Sequence, residues 1–374
     1  MPRFDPPGEA PLVAVLGGGQ LGRMLALAGI PLGLRFRFLD PNPEAPAAGL
    51  GPVVIAPLDD ADALAELTAG ATVVTYEWEG VPAEQARRVG PELAVRPGPE
   101  ALARAQDRIE EKAAFERLGI PVPRFAAVDD AGDLRQAIDA IGLPAVLKTR
   151  RGGYDGKGQV VLGTALDAEG AWAALDGEPA ILEELVNFER ELSVLAVRGL
   201  DGEIRAWPLV QNEHRDGILL VSRAPAPGLT PALQSQAEEI ARRVLEDLDY
   251  VGVLAVELFQ RDGELLANEL APRVHNSGHW TIEGAETSQF EQHLRAILGW
   301  PLGSCAARGY SVMVNCLGAM PAREAVLTVE GAHLHDYAKA PRPGRKLGHV
   351  TITAPSPEEL ERRAGMLQSD RVPG

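Results

Sequence analysis

Cysteine is nearly missing from this chain: Cys305 and Cys316 are the two among 374 residues. Two cysteines exclude a disulfide framework and a cysteine-based zinc site, and neither has a histidine at ligand spacing. Basic charge is also short. Lys and Arg number 36 against 53 Asp and Glu, a formal net charge of −17, which argues against a general nucleic-acid binder, because phosphate backbones demand a net basic footprint. No run of about eighteen apolar residues escapes charge or proline, so no transmembrane helix is expected. The first residues, MPRFDPPGEAP, lack an apolar core of signal-peptide length. A chain at home in a reducing cytoplasm, without membrane or nucleic-acid partners, is the expectation. No internal repeat is visible.

What is present begins with length, which exceeds one ordinary core and predicts two or three domains. Residues 12–16 read as an apolar strand entering Gly17-Gly18-Gly19-Gln20-Leu21-Gly22, and residues 23–28 have helical spacing. Further strands are expected at 34–39, 53–56 and 71–76, an alternation with helices that implies a doubly wound parallel domain. Residues 97–119 read as one long helix, ended by Ile120-Pro121-Val122-Pro123. The domains expected are therefore residues 1–120, 121–304, with a small lid subdomain to about 182, and 305–374. In the second, strand-like runs surround a helix at 230–249. In the third, strands are expected at 311–317 and 349–353.

Residues 150–159, RRGGYDGKGQ, follow an apolar run, and such a glycine loop lets backbone N–H groups crowd around an anion. Lys148, Arg150, Arg151 and Lys157 would add positive charge. The loop is not a Walker loop, since the G-x-x-x-x-G-K-[ST] spacing and its magnesium-holding hydroxyl are missing. Taken alone, it reads first as a flexible hairpin tip with solvated lysine and arginine. Gly17-x-Gly19-x-x-Gly22, with Asp40 about twenty residues on, matches a dinucleotide fingerprint, although a plain strand-to-helix turn uses the same glycines.

Residues 253–260 and 265–270 read as a hairpin around Arg261-Asp262-Gly263-Glu264. With the turn centred near Gly263, Glu257 and Glu269 stand opposite each other inside apolar runs. A buried pair of carboxylates is costly unless a cation neutralises it, and magnesium completed by nucleotide phosphates is the natural answer, with Asn268 as an addition. Glutamates on the solvent face of a half-exposed hairpin are the ordinary alternative. The donor-rich APRVHNSGHW, residues 271–280, follows at once, with Arg273 as an anion partner. His275 and His279 have the i, i+4 spacing of a zinc pair, but no third ligand is evident, so they are read as hydrogen-bonding residues. The basic loop PRPGRK, residues 341–346, offers a local phosphate pocket in an acidic chain, or a solvated surface loop. His333 and His335 share a strand face and should pack.

GGGQLGRML (17–25), QDR (106–108), LKTRRGGYDGKGQ (147–159), NELAPRVHNSGHW (268–280) and RPGRKLGH (342–349) together resemble the ATP-grasp superfamily, and within it the N5-carboxyaminoimidazole ribonucleotide synthetase family. NELAPRVHNSGHW is the most specific of these. The resemblance implies an ATP-grasp fold in a mixed α/β and α+β chain, with an N-terminal parallel-sheet domain and a small β-rich C-terminal domain. It implies a carbon–nitrogen ligase of purine biosynthesis that uses ATP and bicarbonate to carboxylate the exocyclic amine of 5-aminoimidazole ribonucleotide. ATP with magnesium, two ions or manganese in their place, and a homodimer are implied with it.

Residue by residue, the resemblance implies nucleotide contacts at Arg108, Lys148, Gly153, Tyr154, Asp155, Gly156, Lys157, Gly158 and Gln159. It adds the hinge Glu183-Glu184-Leu185-Val186, a ribose carboxylate at Glu191, His214, Asn268 and Glu269. Glu257 and Glu269 would hold metal, and Arg273, His275, Asn276 and Lys339 would be catalytic. Gln20, Leu21, Glu77, Tyr154, Asp155, Lys157, Arg273, Lys339, Arg345 and Lys346 would hold the ribonucleotide. Relatives commonly carry arginine where Lys157 stands. Glu189 competes with Glu191, because a two-residue slip exchanges them. Another ATP-grasp ligase, of the formate-dependent transformylase or biotin carboxylase kind, shares most of these features; an NAD-binding oxidoreductase or sensor is the alternative from another class.

Overall fold

In the computed structural model, which describes residues 10–90, 92–153 and 156–369, three sheets organise the chain. The first is parallel, with strands in the order Val53–Val54, Arg35–Leu39, Leu12–Leu16, Val73–Tyr76. Leu12–Leu16 is buried along its whole length, as a central parallel strand covered on both faces must be. Helix Gln20–Gly29 follows it and packs against helix Gln289–Leu298 of the large domain, so the two domains share one apolar core. That core holds Phe36, Trp207, Trp280, Phe290 and Tyr337.

The expected single helix at 97–119 is two helices, Pro99–Ala105 and Arg108–Arg117. Asp107 breaks it. Its carboxylate accepts the N–H groups of Ile109 and Glu110, capping a new helix. Gln106 turns its amide onto the carbonyls of Glu79 and Val81 in the first domain.

A four-stranded antiparallel sheet, Phe125–Val128, Ala180–Glu184, Ala145–Thr149, Gln159–Leu162, makes the small subdomain. The glycine loop is the tip of its hairpin. Gly158 lies at φ +70°, and a Cβ there would come within 2.7 Å of the Thr149 hydroxyl, so both conformation and space require glycine.

The large sheet runs Glu264–Ala271, Gly252–Arg261, Arg190–Arg198, Val210–Arg215, Ile218–Ala224, Tyr310–Leu317, Lys346–Ala354, Ala332–Asp336, with Ile204–Ala206 also on Arg190–Arg198. The C-terminal strands thus extend the sheet that carries Glu257 and Glu269. This continuity fixes the basic loop 341–346 relative to them. Helix Pro231–Asp247, capped by Thr230, covers one face. Among the described residues, no helix is long and apolar enough to cross a membrane.

Candidate active site

The hairpin that carries the two carboxylates turns through Asp262 and Gly263, at φ 53° and 79°, between the paired residues Arg261 and Glu264. Positive φ at both centres is the tight turn that matches strand twist. Counting back from it would set Glu257 opposite Asn268. A bulge intervenes: Leu258 pairs with Ala267, and Glu257 with Glu269, so Asn268 is the extra residue. The carboxylates do face each other, through a bulge that the sequence did not announce. Asn268 Oδ1 is buried and finds no partner among the described residues.

Arg108 and His275 flank this pair. Arg108 Nη1 lies 3.0 Å from Glu269 Oε2, and its Nη2 donates to the Gly153 carbonyl at 3.2 Å. His275 Nε2 is 3.2 Å from Glu257 Oε1, and its Nδ1 meets the Ser277 hydroxyl at 2.8 Å. Burial works against charge on Glu257. His275, His214 and Lys346 outweigh it and hold the carboxyl down to about 2. Glu111, next to Glu269, goes the other way: burial first, and then the Glu269 charge, push it up to about 8. It accepts the Leu270 N–H at 2.6 Å.

Glu191 Oε2 meets His214 Nδ1 at 2.7 Å, while Glu189 is exposed. Burial lowers the tendency of His214 to charge, but Glu191, and Glu257 behind it, leave it above its ordinary value. Of the hinge, Glu183 is buried and ion-paired to Lys148 at 3.1 Å, with Oε1 unpartnered among the described residues. The Glu184 side chain is committed to Arg124 and Arg261. Leu185 donates its N–H to Pro144, and Val186 is buried.

The glycine loop departs from expectation in its charges. Arg150 and Arg151 do not face it; both bind the Asp107 carboxylate, Arg150 Nε at 2.8 and 2.9 Å, Arg151 Nη2 at 2.8 Å. Gly156 instead packs against the turn at Asp216 and Gly217. Gly153, Lys157 and Gln159 border the loop, and Tyr154 and Asp155 lie outside the described residues.

In the first domain the glycine turn is filled from within. Glu77 accepts the N–H groups of Gly19 at 2.8 Å and of Leu21 and Gly22 at 3.0 Å. A Cβ on Gly19 would fall 2.4 Å from that carboxylate. Asp40 is likewise spent on the Gly18 and Asn42 amides. A carboxylate therefore holds the place where a dinucleotide would set its pyrophosphate, and the fingerprint reading is corrected accordingly. Burial raises the Glu77 pKa against the pull of the Gly22 and Gly19 amides.

Gln20, on the rim of this turn, is hydrogen-bonded by the Lys339 ammonium, joining the first domain to the C-terminal region. Arg273, partly buried, is ion-paired to Glu79, a partner the sequence reading missed, and also donates to the Val274 carbonyl at 3.0 Å. Both polar atoms of the Asn276 side chain are buried without partners among the described residues. Arg345 is half-buried and donates to the Ala340 carbonyl at 3.1 Å.

His279, His349 and His335 stack in series, with ring centres 4.8 and 4.4 Å apart. Burial drives the pKa of His279 and of His349 well below the usual histidine range. The Tyr337 hydroxyl meets His349 Nδ1 at 2.7 Å, and Lys339 lies 5.8 Å from the Tyr337 ring centre. His335 does more than pack: its Nε2 is 2.7 Å from Glu283. His333 is exposed. Asp107, Glu79, Glu111 and Lys112 all escaped the sequence reading. The i, i+4 spacing of Arg108 and Lys112 on one helix face was the available signal for the last.

Three family models match: a ribonucleotide synthetase preATP-grasp domain over residues 11–106, an ATP-grasp domain over 113–290, and a phosphoribosylaminoimidazole carboxylase C-terminal domain over 311–363. The N5-carboxyaminoimidazole ribonucleotide synthase of Pseudomonas aeruginosa is 52% identical over 96% of this chain and 98% of its own. That of Brucella melitensis is 45% identical over 92% and 96%. The crystal structure of N5-carboxyaminoimidazole ribonucleotide synthetase from Thermus thermophilus superposes with a TM-score of 0.93 at 55% identity, covering 97% and 99%. A structure of N5-carboxyaminoimidazole synthase from Aspergillus clavatus in complex with ADP and 5-aminoimidazole ribonucleotide gives 0.91 at 32%, covering 97% and 100%. The chain belongs to the N5-carboxyaminoimidazole ribonucleotide synthases, ATP-dependent ligases built on the ATP-grasp fold.

Proposed function

We propose that this protein carboxylates the exocyclic amine of 5-aminoimidazole ribonucleotide, consuming ATP and bicarbonate in purine biosynthesis. The observation that carries this is the Glu257–Glu269 pair, set face to face by the bulge at Asn268 and flanked by Arg108 and His275. Two facing carboxylates, Glu257 mostly buried and Glu269 partly open, together with an unpartnered amide oxygen among the described residues, suit a hard cation with oxygen ligands. Among the described residues, no three His, Cys, Asp or Glu side chains gather into a metal group, which leaves most of a magnesium shell to phosphate oxygens and water. When bound, magnesium supplies charge neutralisation for phosphoryl transfer.

The remaining roles are those that the family resemblance implies. Glu183 and the hinge through Val186 receive the adenine, and Glu191 with His214 the ribose. Lys148, Arg108 and the glycine lid hold the phosphates. Gln20, Lys339, Arg345 and Lys346 take the ribonucleotide, together with Tyr154, Asp155 and Lys157. Leu21 shapes the turn beneath it, and Glu77, with three backbone amides already on its carboxylate, supports that turn as well as bordering the pocket. Arg273, held by Glu79, His275 and Asn276 face the reacting groups.

Bicarbonate is a poor electrophile. One of its oxygens attacks the γ-phosphorus, ADP leaves, and the resulting carboxyphosphate breaks into carbon dioxide and phosphate. The amine attacks the carbon and loses a proton, giving the carbamate. Cationic groups aimed at the transferring phosphoryl group lower that barrier, and enclosure keeps water from the intermediate. We divide the chain at about residues 120 and 304, and place the enzyme in the cytoplasm as a homodimer. Incubation with ATP, magnesium and each acceptor tests the reading. ADP release should require both bicarbonate and aminoimidazole ribonucleotide; release driven by formate and glycinamide ribonucleotide would overturn it.

A further inference from the structure

Lys112, on helix Arg108–Arg117, is 1% exposed, and a lysine so buried needs a specific partner. Its ammonium lies 3.4 Å from Glu183 Oε2 and 3.4 Å from the Ala267 carbonyl. Lys148 reaches the same Glu183 oxygen at 3.1 Å. Two cations therefore grip Oε2, one from the root of the glycine hairpin and one from a helix outside it. Oε1 of the same carboxylate is buried and has no partner among the described residues.

A buried, charged oxygen with open lone pairs is costly, and the cost is relieved only by a donor. Strand Ala180–Glu184 ends at the hinge, so the donor can come from a base seated there. Adenine presents an amino group at its 6-position, where hypoxanthine and guanine present oxygen. We propose that Lys112 is a positioning residue that sets purine selectivity: with Lys148 it clamps one oxygen of Glu183 and leaves the other as an obligatory acceptor for the 6-amino group. The proposal rests on the reading that the nucleotide base lies at the hinge.

Burial opposes charge on Glu183, and the ammonium groups of Lys112 and Lys148 overcome it, holding the carboxyl down to about 2. Burial also lowers the Lys112 pKa, against the pull of Glu183. Remove Lys112, and only Lys148, with a weaker pull from Arg108, is left to offset the burial. Glu183 then protonates more readily, and a protonated Oε1 becomes a donor that suits a 6-oxo purine.

The test is kcat/KM for ATP and for inosine triphosphate in the wild type, Lys112→Met and Lys112→Arg. The wild type should favour ATP by about a hundredfold or more, as sites with a buried hydrogen-bonding group do. That ratio should stay flat between about pH 5.5 and 8, because the carboxylate keeps its charge throughout. In Lys112→Met the ratio should fall about tenfold, mainly by gain of inosine triphosphate use at the acid end, and Lys112→Arg should restore it. An equal loss for both nucleotides in Lys112→Met would reduce the residue to a structural one and overturn the proposal. If that variant does not fold, the wild-type profile decides: no preference for ATP, or a preference that fades toward acid pH, overturns the clamp. If neither nucleotide binds, the functional reading itself falls and the clamp with it.

Discussion

Asp107 and Arg150 form a two-point contact, with Arg150 Nε 2.8 and 2.9 Å from the two carboxylate oxygens. The same carboxylate caps helix Arg108–Arg117, so it joins the residue before Arg108 to the root of the glycine loop. The Arg108 N–H also bonds the Arg150 carbonyl at 3.1 Å. The root of the glycine loop and the arginine that faces Glu269 are thus set by one buried acid, 1% exposed.

Asp107→Asn keeps the shape and removes the charge. It should cost about 1–3 kcal/mol of stability, from a weakened cap and two weakened ion pairs, and should raise KM for ATP several-fold. Thermal unfolding and steady-state kinetics check this. An unchanged KM would show that the loop is positioned without Asp107.

Glu269→Gln removes one carboxylate from the facing pair and leaves the fold intact. ATP turnover should fall by at least about a hundredfold, since the magnesium that would neutralise the transferring phosphoryl group would lose one of its two carboxylate ligands. Magnesium titration should show weaker binding. Near-normal turnover would refute the role given to the pair.

Arg345→Ala should raise the KM for ribonucleotide about tenfold or more, the scale of a lost charge-assisted contact, and leave ATP affinity little changed. Kinetics with each substrate varied separately gives the answer. Equal losses for both would make the loop a structural brace.

Acid should destabilise the protein through Glu183 and Glu257. Each carboxyl falls from an ordinary 4.5 to about 2 on folding. A depressed value adds stability above the unfolded pKa, and that stability is lost as pH falls through the folded one. Tm should therefore drop between about pH 4.5 and 2, with a shallower slope in Glu183→Gln. A Tm independent of pH over that window would contradict the ion-pair assignments.

Much of this site was legible in the sequence because its chemistry is local. Alternating apolar residues around Arg261-Asp262-Gly263-Glu264 announce a hairpin, and glycines at 152–158 announce a loop that approaches something closely. The facing of Glu257 and Glu269 was anticipated with the wrong turn centre, and the bulge at Asn268 supplied the missing residue. A bulge depends on what the strand packs against, so local pattern does not reveal it. The break at Asp107 was hidden for a similar reason: its cap and its two arginines are separated by more than forty residues. Glu77 filling the glycine turn, 55 to 58 residues away, is a tertiary event as well. The stack of His279, His349 and His335 needs two regions of the chain to meet.

The most direct measurement follows oxygen. With bicarbonate labelled in 18O, ATP and aminoimidazole ribonucleotide, the account predicts one labelled oxygen in each phosphate released, carried over when bicarbonate attacks the γ-phosphorus. Phosphate without label, formed alongside the carboxylated product, would contradict it.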